Sequence, residues 1–120
     1  MLVHGFYTIQ KTEAMDGIIK STILLNPKHE VYKGHFPGQP VVPGVIQLQI
    51  IKEMLEGNLD QPLMISHVSS AKYLRIVTPD TSPELNITIH YNKTEENEIK
   101  VNALICSTET TFTKVKMKLK

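Results

Sequence analysis

Gly34-His35-Phe36-Pro37-Gly38-Gln39-Pro40-Val41-Val42-Pro43-Gly44-Val45-Ile46-Gln47-Leu48-Gln49 is the stretch on which the reading of this chain turns. Up to Pro43 it cannot be regular secondary structure. Pro37, Pro40 and Pro43 lack amide donors, fix φ and turn the residue before each away from helix. Gly34 and Gly38 permit tight bends. From Pro43 the character reverses. Proline suits a first helical position, and Val45 to Glu56 reads as a helix ending at Gly57-Asn58. His35 therefore sits on a stiff loop that feeds a helix N-terminus, where free backbone N–H groups carry partial positive charge. A base beside a site that stabilises an oxyanion is the pairing needed to remove a proton next to a carbonyl.

On the N-terminal side, Leu2 to Gln10 is rich in β-branched and aromatic residues and predicts a first strand. Lys11 to Gly17 reads as a polar connection, Gly17 to Leu25 as a second strand stopped by Asn26-Pro27, and His29 to Lys33 as a helical turn. The helix itself is apolar around much of its circumference, through Val45, Ile46, Leu48, Ile50, Ile51, Met54 and Leu55. A one-sided surface helix shows a narrower stripe, so sheet is expected on several sides of it. Beyond Gly57 nearly everything reads as strand. Pro62 to Val77 is one long candidate, interrupted near Ser69-Ser70, and Thr78 to Pro83 is a turn cluster. Leu85 to Tyr91 alternates apolar and polar residues. Asn92 to Asn97 is a polar hairpin loop, followed by strands at Ile99–Cys106 and Thr110–Leu119.

Length and composition narrow the choices. A chain of 120 residues predicts one domain, 1–120. The 41% hydrophobic and 21% charged residues are those of a soluble globular protein. A formal net charge of +1 points away from a nucleic-acid binder. Cys106 is the only cysteine, so an intramolecular disulfide is ruled out, in keeping with a reducing, cytoplasmic setting. The N-terminal residues show no secretory pattern, and no apolar run approaches the ~20 residues that cross a bilayer. His4, His29, His67 and His90 have no ligand spacing to one another or to Cys106, so no metal site is expected.

The quoted stretch resembles the β-hydroxyacyl-acyl-carrier-protein dehydratases of the hot-dog superfamily. Their pattern runs Gly-His-Phe-Pro-Gly-x-Pro-x-x-Pro-Gly-Val-Leu-x-x-(Glu or Asp). Every position through Val45 matches, Ile46 replaces Leu, and Gln49 stands where the acid should be. The resemblance continues more weakly through Ala71-Lys72-Tyr73-Leu74-Arg75-Ile76-Val77-Thr78-Pro79-Asp80. It implies an α+β hot-dog fold, a curved antiparallel sheet of five or six strands around one central helix, in a homodimer with sites shared across the interface. It implies dehydration of a (3R)-hydroxyacyl thioester carried on acyl carrier protein, with no cofactor. His35 would be the general base and the Gly44 N–H the donor to the thioester oxygen. Phe36, Pro43 and Val45 would bind substrate.

Gln49 breaks the pattern. An amide donates and accepts hydrogen bonds but cannot act as an acid. Either Gln49 positions the substrate hydroxyl while His35 performs both proton transfers of a syn elimination, or the chain is a non-catalytic acyl-binding or partner subunit. Glu53, one helical turn on and on the same face, is a further candidate for the acid. Thioester hydrolysis, found in other hot-dog proteins, is a third reading. Finally, Lys114, Lys116, Lys118 and Lys120 alternate with apolar residues. They suit an edge strand protected by lysines, or, with Lys72 and Arg75, a docking surface for the acidic carrier.

Overall fold

The structure is a computed structural model, and residues 5–33 and 40–120 are described. Six strands and one long helix follow in the order β1 (Tyr7–Met15), β2 (Ile18–Leu25), a 3-10 turn (Glu30–Lys33), α1 (Gly44–Leu59), β3 (Ile65–Tyr73), β4 (Glu84–Lys93), β5 (Ile99–Cys106) and β6 (Thr111–Leu119). The strands form one sheet in the order β1-β2-β4-β5-β6-β3, with every neighbouring pair antiparallel. This is the hot-dog arrangement. One face of the sheet is lined by Ile19, Ile23, Leu85, Ile87, Ile89, Val101, Ala103, Ile105, Val115 and Met117, all buried. Alternation puts these side chains on the same side of the pleat, and α1 packs there through Ile50, Ile51, Met54 and Leu55. Ile50, Ile51 and Leu55 are at most 1% exposed, and burying each contributes about 1.5–3 kcal/mol.

Several elements differ from the sequence-based expectation. The first described strand starts at Tyr7, after a turn at Gly5 and Phe6, and runs through the residues read as a connection, to Met15; residues 2–4 of the expected strand lie outside the described residues. It is an edge strand, exposed at every position but Tyr7, so its polar residues carry no hydrophobic signal. Its turn into β2 is made by Asp16 and Gly17, the glycine at φ 78, a conformation that favours a residue without Cβ. The helix passes through Gly57-Asn58 to Leu59, and Asp60 takes the left-handed position at φ 54 as its cap. Leu59 packs against the core, and that contact holds the extra turn. Pro43 is the residue before the helix, at φ −60 and ψ 148, and not its first helical residue. Val45 is 71% exposed, so within one chain the sheet leaves part of the helix uncovered.

β6 is not an edge. It lies between β5 and β3, because the chain crosses past α1 and lays β3 along the far side of β6. The alternating lysines therefore do not guard an edge. They stand on the outer face of an interior strand, where Lys72 faces Lys114 and Lys100 faces Lys118 across strand pairs. β3, β5 and β6 contain five lysines and no Asp or Glu. Like charges directly opposite each other oppose pairing. The buried side of these strands holds them together.

Candidate active site

The leg from the proline loop into α1 is fixed by three bonds. The Val42 N–H donates to the Val77 carbonyl at 2.8 Å, and Val42 is 2% exposed. Its own carbonyl accepts from Gln47 Nε2 at 3.2 Å. The Thr113 hydroxyl donates in turn to Gln47 Oε1. Gln47 and Thr113 are both buried, so β6, the first turn of the helix and the end of the loop form one satisfied polar network. Gln47 lies on the core stripe 47, 50, 51, 54. A polar residue at that spacing was a signal that the sequence reading passed over. On the other side of the loop, Phe6 packs against the rings of His29 and Tyr32, at 5.2 and 5.4 Å between centroids. This stack pins the approach to residue 34. Burial, with the charge of Asp80 added, pushes the Tyr32 hydroxyl up to about 12.

The N-terminus of α1 is open. Among the described residues no side chain caps it, and its first turn contains no acid. The Pro43 carbonyl accepts from the amides of Ile46 and Gln47, at 3.1 and 3.2 Å. The amides of Gly44 and Val45 come before these and form the positive end of the helix dipole. Tyr73 lies directly over this end. A Cβ on Gly44 would stand 2.6 Å from its Cζ and 2.7 Å from its hydroxyl oxygen. Glycine is thus favoured at 44 by the close approach of a ring, its φ not being positive. Burial raises the Tyr73 hydroxyl above its ordinary value, so it stays protonated and able to donate. In the sequence Tyr73 carries no signal of this role. Only the fold brings β3 to Gly44.

Gln49 is partly buried one turn further along. Its Nε2 donates to Glu53 Oε2 at 3.1 Å, and the Tyr7 hydroxyl donates to Glu53 Oε1 at 3.2 Å. Glu53 is 7% exposed. Burial first, and then the charge and hydrogen bond of Glu53, hold the Tyr7 hydroxyl far above its ordinary value. Beside this cluster is a cavity of about 290 Å³ lined by residues that include Ile9, Thr12, Ser21 and Met54. Of the residues predicted for the site, Pro43, Gly44, Val45 and Gln49 fall on or next to the first two turns of α1. His35 and Phe36 lie outside the described residues.

A long central helix packed on one face of a six-stranded antiparallel sheet is the hot-dog fold. The family model described as "ApeI dehydratase" matches residues 10–114, and the chain belongs to this ApeI-like family. Among curated proteins it is similar to the 3-hydroxyacyl-(acyl-carrier-protein) dehydratases FabZ of Latilactobacillus sakei and Lactobacillus helveticus. Identity is 31% over 68% of this chain and 67% of the former, and 27% over 69% of this chain and 64% of the latter. The chain thus spans about two thirds of the length of these relatives. Among solved structures, the dehydratase heterocomplex ApeI:P of Xenorhabdus doucetiae superposes with a TM-score of 0.75 at 20% identity, covering 93% of this chain and 96% of that one. A thioesterase of Haemophilus influenzae superposes at 0.64 with 15% identity, covering 98% and 80%. These two likenesses establish the fold. No helix among the described residues is long and apolar enough to cross a membrane.

Proposed function

We propose that the protein is one hot-dog domain that dehydrates (3R)-hydroxyacyl thioesters on acyl carrier protein, working as a cytoplasmic homodimer with sites shared between subunits. The observation that carries this is the N-terminus of α1, free of a side-chain cap among the described residues, in a chain whose sequence places His35 eight residues before Pro43. A thioester oxygen seated there meets the Gly44 amide, which stabilises enolate charge as it develops. His35, whose ordinary pKa lies near neutrality, takes the C2 proton. The C3–O bond then breaks, the C2–C3 double bond forms, and His35 returns the proton to the departing oxygen as water. One base suffices because both groups leave from one face. Gln49 binds the hydroxyl, and Phe36, Pro43 and Val45 line the acyl group. Val45, exposed in the single chain, is then covered by substrate or the partner subunit.

The acidic carrier is placed on the outer face of the sheet. Lys72, Lys114 and Lys116 border a cavity of about 440 Å³ there, with Leu104 and His90 also lining it. Lysines facing one another gain from any carboxylate set between them.

The test is incubation with short and long 3-hydroxyacyl carrier substrates, followed by mass. Loss of water that disappears in His35→Ala is the expected result. Release of free acid would instead favour the thioesterase reading, and an unchanged substrate the non-catalytic one. Gln49 gives one observation in favour of a second assembly. A hot-dog partner carrying the missing acid, in a pair like the heterocomplex named above, would complete the site that a homodimer leaves with an amide.

A further inference from the structure

Glu53 is a buried carboxylate, and no cation stands within ion-pairing distance of it among the described residues. Such a group persists only where donors satisfy its oxygens. Both are taken, one by the Tyr7 hydroxyl and one by the Gln49 amide. Glu53 is therefore held between Tyr7 and Gln49 through both of its oxygens. The consequence falls on Gln49. A carboxamide has one donating end and one accepting end, whereas a carboxylate only accepts. Reversing the amide would press its carbonyl oxygen against Glu53 Oε2, oxygen against oxygen. Tyr7 cannot take over, because it spends its only proton on the other oxygen of Glu53.

We infer that the chain Tyr7–Glu53–Gln49 locks the polarity of the Gln49 amide, so that Gln49 offers its carbonyl oxygen to the ligand and selects acyl chains whose C3 substituent can donate a hydrogen bond. The inference rests on the dehydratase reading and names what that site distinguishes. A 3-hydroxyl donates and is accepted. A 3-oxo group of nearly the same size only accepts, and is turned away. Holding the hydroxyl by its hydrogen also leaves an oxygen lone pair free for the proton that His35 returns. Glu53 and Tyr7 are positioning residues. Of these three residues, only Gln49 touches the ligand.

The experiment measures binding, not turnover, in a His35→Ala background that holds the ligand without converting it. Dissociation constants are compared for 3-hydroxyacyl and 3-oxoacyl pantetheine thioesters of one chain length. With Gln49 and Glu53 intact, the hydroxyl compound is expected to bind about tenfold tighter, the size of one discriminating hydrogen bond. Glu53→Gln gives Gln49 a neighbour that donates as well as accepts, frees the amide to turn, and should shrink the preference to about threefold or less. Gln49→Met removes the acceptor and should abolish the preference, and it gives the answer should Glu53→Gln fold poorly. A preference that survives both substitutions, or a starting protein that favours the 3-oxo compound, overturns the polarity lock while leaving the dehydratase reading intact. Failure to bind either thioester removes the acyl site, and both readings with it.

Discussion

Gly44→Ala tests the arrangement at the helix N-terminus with one methyl group. That methyl would lie 2.6 Å from Tyr73 Cζ, where carbon atoms prefer about 3.5–4 Å. One of the two must move by roughly 1 Å. The backbone is held by the Val42 and Gln47 bonds, so the ring gives way. Tyr73 is 46% exposed, and about 100 Å² of buried ring surface is at stake. At about 25 cal/mol per Å², complete expulsion would cost about 2.5 kcal/mol. Alanine returns up to about 1 kcal/mol over glycine through helix propensity. The net destabilisation is therefore about 0.5–2 kcal/mol. In a Tyr73→Ala background the collision is gone, and the same substitution should be neutral or stabilising. Urea unfolding of the four proteins of this cycle reads the coupling, expected at about 1–2 kcal/mol. Effects that add within about 0.5 kcal/mol, the range for independent sites, would show that Tyr73 does not lie on Gly44.

Thr113→Val keeps the shape of a fully buried side chain but leaves Gln47 Oε1 without its donor. Denaturant unfolding should show a loss of about 1–3 kcal/mol. On the outer face, Lys114→Glu with Lys116→Glu should raise KM for carrier-bound substrate several-fold and leave KM for a pantetheine thioester unchanged. Added salt should weaken the unmodified protein toward the same value.

Legibility in the sequence followed burial. β4 and β5 alternate apolar and polar residues because one face is buried, and their positions could be read almost residue for residue. β1 could not, since an exposed edge strand needs no apolar residues and is specified by its pairing with β2. The end of α1 was misplaced because Gly57 signals a stop that Leu59, by packing on the core, overrides. β6 was taken for an edge because sequence order says nothing of β3 returning to its side. The motif placed Gly44 and Gln49 at the start of the helix, where they lie. Tyr73, Thr113 and Tyr7 were not legible, since each reaches α1 from a strand distant in sequence. Glu53 was noted for its helical spacing, but that spacing could not say that its two oxygens were already occupied.

The lysines on the back of the sheet also restrict how copies of the chain can meet. Two hot-dog sheets laid back to back would bring Lys72, Lys100, Lys114, Lys116 and Lys118 of each against the same residues of the other, with no carboxylate on β3, β5 or β6 to intervene. Like charge would oppose stacking by that face, most strongly at low ionic strength. Association is left to the strand edges and to the uncovered side of α1, where Val45 is exposed and Gln49 only partly buried. In the proposed dimer, a repulsive back would favour the side on which a shared site could be completed, without adding a single attractive contact.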